Sequence, residues 1–224
     1  MPDLDPSGVA DAIHRQISAL DDQSAAPVRV VRREWSRRLR SAPADDVLAV
    51  ADALIPRQRW VAYELVDGHR GARAALDLAW VERLGRGIDS WVAVDTFGRF
   101  ISGMAWQRRQ IADEEVERWA ALADRWWRRA ALVSTVPLNL RAAGGTGDTQ
   151  RTLRVCRLLV ADRDDMVVKA MSWALRQLVV WDAGAVRSFI ETENVAARVR
   201  REVTTKLETG HKNRPRSAPR SFEG

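Results

Sequence analysis

The tract Asp89-Ser90-Trp91-Val92-Ala93-Val94-Asp95 sets an indole and a carboxylate four residues apart. At helical spacing, Trp91 and Asp95 project from one face. A carboxylate held near an aromatic wall can stabilise developing positive charge. The same residues admit a purely structural arrangement, in which Asp95 pairs with Arg99, also at i+4, and Trp91 packs in the core.

Other chemistries lack their residues. Three histidines, His14, His69 and His211, are scattered, and the single cysteine, Cys156, sits in an apolar run. No metal centre and no disulfide framework is expected from them. A serine-hydrolase elbow of the form Gly-x-Ser-x-Gly does not occur. The glycine-rich stretch 141–148 looks like a phosphate loop only superficially, because it lacks the Gly-Lys-Ser/Thr ending and no strand pattern precedes it. Catalysis must then rest on carboxylate, arginine and tryptophan, without a cofactor or a metal.

The elements that would position these groups read as helices throughout. Apolar residues recur at three and four spacing, and strand-like alternation is hard to find. Ser7 is a candidate cap for a helix over 7–20, and a basic helix over 28–39 follows. Pro43 opens another helix and Pro56 closes it. Further helices are expected over 57–66, 72–84, 90–99, 113–122, 126–138, 150–160, 166–181, 183–190 and 195–207.

Self-similarity organises these helices. Trp60-Val61-Ala62-Tyr63-Glu64 recurs as Trp91-Val92-Ala93-Val94-Asp95, and weaker echoes start at Trp127 and Val167. Such an interval is what stacked helical hairpins produce, because each pair must pack on its neighbour to bury its apolar face. The expectation is one all-α repeat domain over 1–209 with a concave inner surface, followed by a disordered basic tail over 210–224.

With 224 residues, 46% of them hydrophobic, the chain can bury a continuous core. The net charge of +6 comes far more from Arg than from Lys, which favours an anionic partner. Ten tryptophans stand against one tyrosine and four phenylalanines, so most must be packing residues and position has to identify any that act on a ligand. The amino-terminal residues have neither a basic nor an apolar leader region, and no apolar stretch approaches a membrane span, so a cytoplasmic protein is expected.

Three tracts taken in order carry a resemblance: Asp-Ser-Trp-x-x-Val-Asp at 89–95, Trp-Trp-Arg-Arg-Ala-Ala at 126–131 and Lys-Ala-x-x-Trp-Ala-Leu-Arg at 169–176. Together they resemble the AlkD-like family of alkylpurine DNA glycosylases, over roughly 28–207. The resemblance implies a right-handed solenoid of HEAT-like helix pairs, an α-α superhelix whose concave face binds DNA. It also implies hydrolysis of the N-glycosidic bond of cationic N3- or N7-alkylated purines in duplex DNA, by a monomer and without flipping the lesion into a tight pocket.

By position, Asp95 matches the family's catalytic aspartate, Trp91 the tryptophan one turn before it, Arg129 the lesion-side arginine that would hold a backbone phosphate, and Trp173 a second aromatic wall. Arg128, Lys169 and Arg176 are the candidate contacts to the DNA backbone. Two features depart from the pattern: Ser90 stands where relatives often carry an aromatic residue, and the loop after Leu140 lengthens the spacing between Arg129 and Trp173. Some relatives lack the acid and bind damaged or branched DNA without excising bases; Asp95 argues against placing this chain with them.

Overall fold

Capping chemistry sets most helix starts. Asp5, Asp77, Ser90, Asp124, Asp148, Asp164 and Asp182 each accept a hydrogen bond from a first-turn backbone N–H, which satisfies donors that the helix itself leaves open. The computed structural model describes residues 4–211. The elements run α1 (Pro6–Ser18), α2 (Ala25–Arg38), α3 (Ala44–Gly68), α4 (Arg70–Ala74), α5 (Leu78–Gly85), α6 (Trp91–Phe97) and α7 (Gly103–Gln107). They continue as α8 (Asp113–Ala120), α9 (Arg125–Ser134), α10 (Val136–Asn139), α11 (Thr149–Leu158), α12 (Asp165–Leu178), α13 (Ala183–Thr192) and α14 (Ala197–Thr209). No strand occurs among the described residues, and no helix there is long and apolar enough to cross a membrane. The expected tail lies outside the described residues beyond His211.

Several boundaries differ from the sequence reading. Asp5, not Ser7, caps α1, with Pro6 at the first helical position where its missing N–H costs nothing. Pro56 does not close α3; the chain kinks at Gln58 (φ −141°, ψ 55°) and helix resumes, because both halves bury apolar residues, Val47 to Leu54 before the break and Val61 to Val66 after it. The expected helix over 72–84 is two, since the Asp77 carboxylate accepts from Trp80 N at 2.8 Å and starts α5 afresh. The helix carrying Asp95 does not stop at 99 but passes through a π-type turn, Gly98–Ser102, into α7.

Packing follows chain order. α1 and α2 lie on α3, α3 touches α6, α6 and α8 touch α9, α9 and α11 touch α12, and α12 and α13 touch α14. One contiguous apolar core runs from Ala10 to Val203. Side-chain ion pairs cross between helices at matching separations: Arg32–Glu64 spans 32 residues, Arg129–Asp95 and Arg128–Asp162 span 34, and Arg154–Glu117 spans 37. That interval is close to the spacing of the repeated Trp tract, so each link joins helices about one interval apart in the chain.

The approach of α6 to α9 depends on missing side chains. A Cβ on Gly98 would lie 2.5 Å from Val133 Cγ1, and one on Gly103 would lie 2.7 Å from the Ser134 carbonyl oxygen. Between them, the hydroxyls of Ser102 and Ser134 share a buried hydrogen bond of 2.7 Å. This closeness lets Asp95 on α6 reach Arg129 on α9. Gly98→Ala should therefore overpack the contact and cost about 1–3 kcal/mol, read as a lower denaturant midpoint at unchanged slope. An alanine variant as stable as its parent would show that the two helices have slack between them.

Candidate active site

Four helices converge on a cleft of about 550 Å³. α6 contributes Trp91 and Asp95, α9 contributes Arg129, and α12 contributes Lys169, Trp173, Arg176 and Gln177, with Val180 just beyond its end. α14 adds Arg198, Glu202 and Lys206, which follow one another at i+4 along one face.

The carboxylate at the centre has a defined partner. Arg129 donates from Nε to Asp95 Oδ1 at 2.9 Å and from Nη2 to Oδ2 at 2.8 Å, the bidentate arrangement that fixes both position and plane of a carboxylate. Its Nη1 donates to the Met166 carbonyl, which ties the pair to the start of α12. Asp95 is thus paired across helices with Arg129 and not with Arg99. The Asp95 side chain remains 19% exposed against 6% for Arg129, so the pair presents its acid, not its base, to the cleft. A carboxylate can accept about four hydrogen bonds, and Arg129 occupies two of those positions.

Burial pushes the Asp95 carboxyl above its ordinary range, against the pull of the Arg129 hydrogen bonds and charge and the more distant charge of Arg99. Glu202 goes the other way: burial opposes its charge, but hydrogen bonds from Ser172 and Arg198 and the charges of Arg176 and Arg198 hold it below the usual carboxylate range. Five cationic side chains line the cleft against these two carboxylates. Lys169 meets Asp165 at 2.5 Å, Arg198 meets Glu202 at 2.9 Å, and Arg176 meets Glu202 at 2.5 Å. The wall is basic, and four of its five cations are paired with acids that an incoming anion must compete with, whereas Lys206 donates to the Gly210 carbonyl.

The two aromatic residues differ in character. Trp91 is 57% exposed, the most exposed of the ten indoles, whereas Trp173 is partly buried against the core. Composition cannot make that distinction, since Trp106 and Trp119 are nearly or wholly buried.

Of the residues singled out from sequence, the structure brings Trp91, Asp95, Arg129, Lys169, Trp173 and Arg176 to one cleft. Arg128 lies outside its lining: Nε donates to Asp162 at 2.7 Å, and Nη1 donates to the carbonyls of Leu122 and Ala123 at 3.1 and 2.5 Å. The α14 residues were not singled out. Their i, i+4, i+8 spacing is the signal that could have found them, although the same pattern describes an ordinary solvated face.

Both departures from the family pattern acquire structural roles. Ser90 caps α6, its Oγ accepting from Ala93 N at 3.4 Å, and so marks the start of the helix that carries Trp91 and Asp95. The glycine-rich loop braces the end of α12. Trp181 Nε1 donates to the Asn139 carbonyl at 2.8 Å, Arg141 lies over the Trp181 ring at 4.9 Å, and Gly147 (φ +87°) sits so close that a Cβ would fall 2.8 Å from Trp181.

No curated protein matches the chain. A family model does, over residues 24–207, and its description is DNA alkylation repair enzyme.

Proposed function

The chain belongs to the DNA alkylation repair enzyme family, and from that premise we propose that it is a DNA glycosylase hydrolysing the N-glycosidic bond of cationic N3- or N7-alkylated purines in duplex DNA. The observation that carries this reading is the Asp95 carboxylate, clamped by a buried guanidinium in a cleft with two indoles and an excess of positive charge. On this reading the stacked helix pairs form one HEAT-like, right-handed solenoid domain, with α6, α9, α12 and α14 on its concave face, and one copy of the chain holds a complete site.

The chemistry matches what such a site can supply. Alkylation at N3 or N7 leaves the purine positively charged, so the base departs neutral and needs no general acid. What remains is positive charge developing on the deoxyribose, which an oriented, partly buried carboxylate stabilises. Asp95 also accepts a hydrogen bond from the attacking water at a position that Arg129 leaves open. Trp91 and Trp173 offer aromatic faces to the sugar and the cationic lesion.

Arg129 acts by positioning the carboxylate. Its donors go to Asp95 and Met166, and 6% exposure leaves little surface for a phosphate. Strand contacts then fall to Lys169, Arg176, Arg198 and Lys206, all at the cleft.

The test is direct. Duplex DNA carrying N7-methylguanine or N3-methyladenine, incubated with the protein, should yield free methylated base and abasic sites. Binding to that DNA with every glycosidic bond left intact would overturn the enzymatic reading and leave a scaffold that binds damaged DNA.

A further inference from the structure

A second cavity, of about 270 Å³, opens beyond Arg99, and its lining includes Asp67, Arg73, Arg99, Phe100 and Arg108. Three guanidiniums converge on it against one carboxylate. Arg73 meets Asp67 only at 3.9 Å, and its Nε is buried without a hydrogen-bond partner. Neither Arg99 nor Arg108 donates a side-chain hydrogen bond or makes an ion pair among the described residues, and Arg99 instead lies over the Phe100 ring at 5.2 Å.

The crowding is electrostatically unfavourable. Partial desolvation of this largely exposed side chain, and then the like charge of Arg73, pull Arg108 below the ordinary arginine range, with Asp67 opposing. A buried donor without an acceptor, set among like charges, describes a site built around a counter-ion. Guanidinium is also the group whose fork of donors matches the oxygens of a phosphate. Arg99 stands one helical turn after Asp95 on the same run of helix, so a strand whose sugar lies at Asp95 passes close to this opening.

We propose that Arg73, Arg99 and Arg108 form a second phosphate site, which holds a backbone phosphate of the bound DNA strand away from the reacting sugar. This rests on the reading of the chain as a DNA-binding repair enzyme, but not on base excision.

The experiment is a salt series of binding constants on undamaged duplex, comparing the parent protein with Arg99→Gln/Arg108→Gln. Neutralising one phosphate contributes about 0.9 to the slope of log K against log salt, so the double variant should lose about one unit of slope. The pair Arg99→Lys/Arg108→Lys, which keeps the charge, should keep the slope. Relief of like-charge repulsion should leave the melting temperature of the Gln pair unchanged or higher. The single variants Arg99→Gln and Arg108→Gln, each at an exposed position, carry the test if the pair folds poorly.

An unchanged slope in folded protein overturns the proposal. A second arm compares melting in inorganic phosphate with chloride at matched ionic strength: stabilisation of the parent by phosphate, joined to an unchanged DNA slope in the variant, would assign the cavity to a free anion and also overturn the DNA assignment. A protein that releases no methylated base yet shows the slope change refutes the glycosylase and keeps this site. The reverse result refutes only this site.

Discussion

Asp95→Asn should lower base release by at least about 10²–10³-fold while leaving duplex binding largely intact. Asparagine keeps the shape of the side chain and one carbonyl acceptor for Arg129, but removes the charge that would oppose a developing oxocarbenium ion. In the proposed function, binding rests on the cations of α12 and α14, none of which contacts Asp95. Retained binding with lost chemistry is thus the specific outcome, and full activity in the variant would remove Asp95 from its role.

The same residue gives a pH dependence with a definite sign. On the proposed mechanism the ionised form is the active one, and burial raises the Asp95 carboxyl above its ordinary value. Single-turnover base release should therefore fall on acidification, starting at a higher pH than an ordinary aspartate would give. Stability has the opposite sense: a group whose folded-state affinity for the proton exceeds its unfolded value contributes most below the unfolded value, and that contribution is lost as pH rises through the folded one. Ionisation of Asp95 therefore works against the stability of the fold. A pH–rate profile with an acid limb, alongside a melting series over the same range, would separate the two.

How much of this was legible in the sequence depends on the distance over which each signal acts. The Trp91–Asp95 pair is local, and i, i+4 spacing was enough to place it on one helix face. Its partner was not. Arg99, at the same local spacing, was the available structural alternative, and only the approach of α6 to α9 through Gly98 and Gly103 selects Arg129 instead. Glycine is a weak signal from sequence, since its purpose here is the absence of a contact atom.

The repeat shows a similar limit. Glu64 follows Trp60 as Asp95 follows Trp91, and both acids are held by arginines from other helices, α2 and α9 respectively. Glu64, however, is bound by both Arg29 and Arg32 and is only 7% exposed, whereas Asp95 has one guanidinium and faces a cleft. Register identified two equivalent positions, and partner count separates the fully paired acid from the one open to the cleft. Pro56 failed as a helix stop for a related reason: the apolar faces on both sides of it pack into one core, and tertiary burial outweighed the local break.

Arg129→Met should destabilise the fold by about 3–5 kcal/mol, because it removes one member of a buried pair and leaves an uncompensated carboxylate in the cleft wall. That is a large share of the ~5–15 kcal/mol available to an ordinary domain, so the variant should be handled cold and its denaturant midpoint compared with the parent's. Loss of the guanidinium also removes the strongest force opposing the effect of burial on Asp95. The acid limb of the pH–rate profile should then move further up, a change that general loosening of the fold would not produce. A second substitution distinguishes stability from chemistry: Asp95→Leu in the Arg129→Met background removes the orphaned charge, and should recover much of the lost stability while base release stays absent. Recovery of stability without activity would assign Arg129 to the placement of Asp95. If Arg129→Met instead kept both its stability and its pH profile and lost only affinity for the duplex, the pair would be slack, and Arg129 would belong with the phosphate contacts.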